Sequence, residues 1–253
     1  NFPEENLSLE IASYDLAYIM YKNSKGVEIE HKGIPNLARS QRDIFEIAAR
    51  DRVLQLSPLH LDASVSEIFT SLLSGAALYL PPNALCSDAG DLTRYLWEHQ
   101  ISVAMVPPSL AKRMPERNLN LKSLVIVGDS CPQFVKDRWS KQCRVIDTYG
   151  STETTVCAAL QIYDGAERQH IGDVIANTHC YVLDSHQKPV PFGATGELHI
   201  GGIGLARGYR NHPELTKQVF IEYCSEAAPE FRQRLYCTGE HVKHCADGKL
   251  EYL

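Results

Sequence analysis

The chain has 253 residues, of which 44% are hydrophobic and 22% are charged, as in ordinary globular proteins of one large or two smaller domains. The net charge is −6 and the Lys and Arg residues are dispersed, which excludes an electrostatic track for nucleic acid or anionic lipid. The sequence has no apolar run of about 18 residues and no leader-like start. We therefore expect a soluble, cytoplasmic protein with neither nucleic-acid nor membrane partners.

A hairpin is predicted first, because two β-type runs at residues 16–21 and 25–31 flank the short connector KNS. Residues 33–49 then have a helical pattern, and from residue 50 short apolar strands alternate with helices. These strands are predicted in RVLQLS, in ALYL, and at residues 103–106, 124–127 and 144–148, and the helices at residues 65–73 and 92–99, after Pro107 and Pro108, and near 133–141.

This alternation predicts an α/β fold with a mixed, largely parallel sheet covered by helices. Beyond about residue 165, β-type runs with Gly and Pro turns predict a smaller, β-rich, distorted barrel-like subdomain. We therefore divide the chain into residues 1–165 and 166–253. Ligands of such sheets bind beyond the carboxyl ends of the strands, where LHLD, IVGDS and DTYGSTE fall.

The eight cysteines are spread along the chain without a CxxC pair, which predicts reduced thiols rather than a disulfide framework. Cys237, His241, His244 and Cys245 could be drawn as four zinc ligands. Their spacing matches no standard zinc finger, so we do not favour a metal site there.

Four segments stand out by their order and separation: LDASVSEIFTSLLSGAALYL, DTYGSTETT, GELHIGGIGLARGYRNHPELT and RLYCTGEHV. Together they resemble the adenylation domains of nonribosomal peptide synthetases, in the adenylate-forming (AMP-binding) superfamily of acyl and aryl CoA ligases and luciferases. The resemblance extends over residues 15–253. It implies that ATP and Mg²⁺ convert an amino acid carboxylate into an aminoacyl-adenylate, which is passed to the phosphopantetheinyl thiol of a carrier protein.

The resemblance assigns roles within DTYGSTETT. Tyr149 matches the tyrosine that stacks on adenine, Thr152 the hydroxyl that contacts the α-phosphate, and Glu153 the carboxylate that holds Mg²⁺, which commonly takes only one or two protein carboxylates. Asp147 would lie near the adenine amino group, beside Gly150 of the same motif. From the residues alone, a capped loop whose hydroxyls serve a following helix is the alternative.

Two acidic residues outside that motif match binding positions of the family. Asp62 matches the aspartate that pairs with the α-ammonium of the substrate, although a helix N-cap is the alternative role, and Leu61 stands where the family has phenylalanine. Glu240 matches the aspartate that binds both ribose hydroxyls. Its extra methylene moves the carboxylate by about 1.5 Å, which puts the affinity for ATP in doubt.

The positions that match the substrate side-chain pocket of the family are mostly apolar, and none is charged. They predict an uncharged, small-to-medium apolar amino acid, unless they are plain core residues. These positions are Ala63, Ser66, Met105, Val125, Val127, Thr148, Val156 and Cys157.

The chain also departs from the family. The Gly- and Ser-rich phosphate loop is reduced to Lys22, Asn23 and Ser24, so either the sequence omits a mobile loop or the loop is truly shortened. The N-terminal portion and the C-terminal lid with its catalytic lysine are also missing from this sequence. We therefore expect weak adenylation by this fragment alone. An acyl or aryl CoA ligase and a degenerate, noncatalytic binding module are the alternatives.

Overall fold

The computed structural model describes residues 9–82, 88–165, 170–225, 228–246 and 248–253. It begins with the predicted hairpin, in which β1 (Leu16–Lys22) and β2 (Lys25–Glu30) pair in antiparallel fashion. A two-residue turn of Asn23 and Ser24, with φ of 48° and 66°, joins the strands. Two successive residues with positive φ are typical of a tight hairpin turn, and the sequence as given closes the hairpin with these two residues.

A seven-stranded sheet forms the centre of the first part of the chain. Its strand order is β4-β3-β5-β6-β7-β8-β9, parallel from β4 to β7 and antiparallel from β7 to β9. The strands are β3 (Arg52–Leu54), β4 (Ala77–Tyr79), β5 (Val103–Val106), β6 (Ser123–Ile126), β7 (Arg144–Tyr149), β8 (Ala159–Ile162) and β9 (Asp173–Val174).

Helices cover both faces of this sheet. Alternate residues of its strands therefore point into two separate cores. In β5, Ala104 and Val106 pack in one core, whereas Val103 and Met105 pack in the other. A strand buried on both faces needs an uninterrupted apolar run, which explains VAMV. The helices are α1 (Gly33–Phe45), α2 (Ala63–Leu73), α3 (Ala89–Glu98), α4 (Pro108–Arg113) and α5 (Gln133–Ser140).

A second, antiparallel sheet follows, in the order β10-β11-β14-β13, with β15 paired to β14. Its strands are β10 (Thr178–Leu183), β11 (Thr195–Gly202), β13 (Phe220–Ser225), β14 (Ala228–His244) and β15 (Leu250–Tyr252). Between β11 and β13 in the chain, the short strand β12 (Gly208–Tyr209) pairs with β2, and the helix α6 (Pro213–Val219) follows. The predicted fold class is confirmed: a mixed α/β sheet followed by a smaller β-rich part.

The element boundaries differ from the prediction in places. The first helix ends at Phe45 rather than near residue 49, because Glu46 has a left-handed conformation with φ of 58°. A boundary at residue 165 stays a prediction, since β9 still belongs to the first sheet. None of the described helices is both long and apolar enough to cross a membrane.

Candidate active site

A cavity of about 1120 Å³ opens where β3, β5, β6 and β7 end. The predicted α/β topology places the segments after these parallel strands at one edge of the sheet, which is where such folds bind ligands. The second sheet contributes Glu240 and Tyr252 to the lining of the cavity. The cavity therefore lies between the two sheets and receives residues from both.

Asp62 and Thr152 meet at this cavity. The Thr152 hydroxyl donates a hydrogen bond of 2.5 Å to Asp62 Oδ2. Asp62 directly precedes α2 but its side chain makes no capping hydrogen bond, so the N-cap alternative is not supported. Its carboxylate instead faces the cavity, as a group that binds a cation must.

Some hydroxyl groups of DTYGSTETT form hydrogen bonds that stabilise the local loop, and others line the cavity. Thr152 begins a short 3-10 helix, Thr152–Thr154, and Thr154 Oγ1 accepts a hydrogen bond of 3.1 Å from the backbone N–H of Ser151. Thr155 donates its hydroxyl proton to the carbonyl of Gly204 at 2.5 Å. The capped-loop alternative therefore describes Thr154, whereas Thr152 lines the cavity.

Tyr149 and Glu240 form the second contact across the cavity. The Tyr149 hydroxyl donates to Glu240 Oε2 at 2.7 Å, and the ring of Tyr252 lies edge-on to Tyr149 with centroids 5.8 Å apart. Burial and the bond to Glu240 raise the pKa of Tyr149 well above its usual value. The phenol therefore stays protonated and its ring remains an uncharged aromatic surface.

Asp147 and Gly150 complete the predicted nucleotide wall. Lys136 Nζ donates to Asp147 Oδ2 at 2.9 Å, and both side chains are largely buried. At Gly150 a Cβ atom would lie 2.4 Å from the carbonyl oxygen of Val156, so only glycine fits this close approach of two backbone segments. Lys22 also lines the cavity, at the end of β1.

Glu153 does not face the cavity. The residue is 7% exposed, and its Oε1 accepts a hydrogen bond of 2.8 Å from the Tyr209 hydroxyl. Burial and the charge of Glu153 raise the pKa of Tyr236 to about 12. One oxygen of its carboxylate is held by a phenol, and the predicted Mg²⁺ contact of Glu153 stays a prediction.

Most of the predicted side-chain pocket surrounds the cavity, but Val125 does not. It is fully buried, in the same core as Met105 and Cys157, and the cavity stops short of it. The predicted positions that line the cavity are Ala63, Ser66, Met105, Val127, Thr148, Val156 and Cys157.

Sequence reasoning missed Gln41 of α1, which also lines the cavity. It is 1% exposed, and its Oε1 accepts hydrogen bonds from the hydroxyls of Ser66 at 2.5 Å and Thr70 at 2.8 Å. These three side chains form a polar floor beneath the apolar walls. A glutamine on the apolar face of a helix was the available signal, since buried polar groups need partners.

Comparisons with known proteins identify the family of this chain. Residues 6–210 match the family described as AMP-binding enzyme, so the chain belongs to this family. Bacitracin synthase 3 from Bacillus licheniformis is 43% identical over 247 residues, covering 95% of this chain and 4% of that protein. Gramicidin S synthase 1 from Brevibacillus brevis is 36% identical over 257 residues, covering 98% of this chain and 23% of that protein.

Solved structures agree as well. A crystal structure of the nonribosomal peptide synthetase FmoA3 matches with a TM-score of 0.87 and 30% identity, over 95% of this chain and 27% of that one. A four-domain synthetase, AB3403, bound to AMP and glycine, matches with a TM-score of 0.86 and 31% identity, over 94% and 18%. The resemblance to nonribosomal peptide synthetase adenylation domains is confirmed, and the chain spans less than a third of these proteins.

Proposed function

We propose that the protein carrying this chain uses ATP to activate an amino acid as an aminoacyl-adenylate and then transfers it to the phosphopantetheinyl thiol of a carrier protein. Mg²⁺ would enter with the phosphates of ATP and offset their charge. The contact between Asp62 and Thr152 in the cavity is the observation that carries this proposal.

This contact suits an α-amino acid because the amino and carboxylate groups of the substrate are joined through a single carbon atom. An ammonium group paired with Asp62 leaves the substrate carboxylate close to Thr152, whose hydroxyl can donate to the α-phosphate. A carboxylate oxygen then attacks the α-phosphorus, the bond to the bridging oxygen breaks, and pyrophosphate leaves. Holding both anions in line supplies much of the rate enhancement.

The transfer step uses the same cavity. The carrier thiolate attacks the carbonyl carbon of the adenylate, a thioester forms, and AMP leaves with the electron pair of the broken carbon–oxygen bond. AMP is held in this proposal by Tyr149 against adenine and Glu240 on the ribose hydroxyls. Their mutual hydrogen bond of 2.7 Å supports the proposal, because it puts both groups within the span of one nucleoside.

An uncharged, apolar amino acid is the substrate class that we favour. Met105, Val127 and Val156 line the cavity, and the Ser66 hydroxyl is already paired with Gln41. A charged substrate side chain would lose its hydration without gaining a partner of opposite charge.

A noncatalytic nucleotide-binding module is the second candidate, and the hairpin turn favours it. Asn23 and Ser24 close β1 and β2 so tightly that few backbone N–H groups remain to surround phosphates. Such a module would use the same cavity but bind ATP weakly and exchange no pyrophosphate.

ATP–pyrophosphate exchange by the full-length protein, with panels of amino acids, fatty acids and aryl acids, tests the proposal. We expect exchange to depend on one or a few apolar amino acids and on Mg²⁺. Exchange supported by fatty or aryl acids alone would identify a CoA ligase. No exchange, together with weak ATP binding in calorimetry, would leave the noncatalytic module.

A further inference from the structure

Three side chains of metal-ligating type meet in the second sheet, and none of them lines the cavity described above. Glu197 and His199 lie two residues apart on β11, and Cys237 of β14 is the direct cross-strand partner of His199. One ligand atom from each side chain lies within 4.8 Å of the other two. Leu198 between them points into the core on the opposite face, as strand alternation requires.

We propose that Glu197, His199 and Cys237 bind one zinc ion, with the fourth coordination position open to water or another ligand. A thiolate, an imidazole and a carboxylate are all established zinc ligands, and a site with three protein ligands keeps one position free. In tetrahedral coordination the ligand atoms lie about 3.5 Å apart, so small side-chain rotations close the observed cluster around an ion.

The imidazole of His199 is already oriented for this role. Its Nδ1 lies 3.1 Å from the carbonyl oxygen of Glu197, and because a carbonyl can only accept, Nδ1 carries the proton. The lone pair is therefore on Nε2. Metal-bound histidines commonly use this arrangement, in which one ring nitrogen donates to a carbonyl and the other binds the ion. His199 is only 4% exposed, so neighbouring residues hold its ring near this orientation.

The other two side chains place acidic groups side by side. The backbone N–H of Gly239 donates to Glu197 Oε1 at 3.0 Å, which fixes the carboxylate beside β14. The Cys237 thiol belongs to the same cluster, so a divalent cation placed between the thiol and the carboxylate would bind both.

The grouping was not visible in the sequence. Cys237 was considered there with His241, His244 and Cys245, but the ring of His244 packs on Phe192 with centroids 4.4 Å apart. The ligand partners of Cys237 instead come from the motif GELHIGG, about forty residues earlier in the chain. Only the register of β11 against β14 brings them together.

Titration of the metal-free, full-length protein with Co²⁺, followed by absorption spectroscopy, tests the site. We expect one Co²⁺ per site, with a thiolate-to-metal charge-transfer band and the visible bands of tetrahedral cobalt, and we expect Zn²⁺ to displace it. Cys237→Ser should abolish the charge-transfer band. Glu197→Gln and His199→Gln should each weaken binding by roughly tenfold or more.

Cys224→Ser is the matched control, because it removes an exposed cysteine elsewhere in the same sheet and should leave the titration unchanged. Circular dichroism shows which variants fold, and the conclusion can rest on any ligand variant that does. A wild type without a charge-transfer band would overturn the proposal. The same holds for a band that survives in Cys237→Ser, or for full affinity in both Glu197→Gln and His199→Gln.

Discussion

The hydroxyl of Thr152 donates to the carboxylate of Asp62 at 2.5 Å, although 90 positions separate the two residues. The contact forms because β3 and β7 are parallel strands of one sheet, so the segments that follow them reach the same edge. It joins the group that we assign to the substrate ammonium with the group that we assign to the α-phosphate. Substrate and ATP would replace this hydrogen bond when they bind.

Asp62→Asn tests the ammonium role while keeping an acceptor for Thr152. Losing the charge leaves a buried ammonium unpaired, which costs about 2–5 kcal/mol. We therefore expect amino-acid-dependent pyrophosphate exchange to fall by about two orders of magnitude, with ATP affinity in calorimetry nearly unchanged. Asp43→Asn, an exposed change on α1, is the control. An unaltered KM for the amino acid would contradict the assignment.

Glu240 and Tyr149 give a matched pair of nucleotide-site variants. Glu240→Ala removes the acceptor for the ribose hydroxyls, and a hydrogen bond to a charged group is worth about 1.5–3 kcal/mol. We expect AMP binding, measured by calorimetry, to weaken by one to two orders of magnitude. Tyr149→Phe removes only the hydroxyl that donates to Glu240 and should change AMP affinity little, because the ring remains. An equal loss of AMP affinity in the two variants would be inconsistent with adenine stacking on the ring of Tyr149.

Gln41→Leu should destabilise the fold. The substitution removes the acceptor of two buried hydroxyls, those of Ser66 and Thr70, and an unpaired buried polar group costs about 1–3 kcal/mol. We expect a drop of about 2 kcal/mol in the free energy of unfolding by urea. Gln142→Leu, at an exposed position, should change it little. Equal stability of the two variants would show that the polar floor makes no net contribution.

The buried carboxyl of Glu67 should make the stability of the fold depend on pH. Its carboxyl is fully buried, and burial raises its pKa from 4.5 to about 7, against the effect of hydrogen bonds from Leu56 and Ser57. The folded protein therefore holds this proton more tightly than the unfolded chain. The resulting stability is fully present below the unfolded pKa of 4.5 and is lost as the pH rises through about 7.

Urea unfolding at two pH values measures this effect. Between about pH 5.5 and about pH 8 the wild type should lose about 2 kcal/mol more than Glu67→Gln, which cannot titrate. The difference between the two profiles isolates Glu67 from the other titrating groups. Parallel profiles would mean that the pKa of this carboxyl is the same in the folded and unfolded states.

The order and type of the elements could be predicted because apolar strands alternate with helices of clear period. VAMV illustrates the limit of this signal: a strand buried on both faces is apolar throughout, so its sequence does not tell which side chains face the cavity. Val125 was assigned to the pocket by its match to the family, although it is fully buried and does not line the cavity. The end of the first helix was missed because nothing in the sequence marks the left-handed conformation of Glu46.

The residues predicted to bind nucleotide and substrate were chosen by motif, but their contacts needed the structure. Nothing in DTYGSTETT shows that Glu153 turns towards Tyr209 while Thr152 turns towards Asp62. The cluster of His199 and Cys237 was equally hidden, since it depends on the pairing of two strands far apart in sequence. Local patterns predict elements, whereas contacts across sheets depend on register and topology.

A crystal structure of the protein with a non-hydrolysable aminoacyl-adenylate mimic tests the central claim most directly. We predict a ligand in the cavity, with adenine against the ring of Tyr149, ribose on Glu240, the phosphate mimic at Thr152 and the ammonium on Asp62. A ligand bound on another surface, or a cavity without ligand at a saturating concentration, would contradict the account.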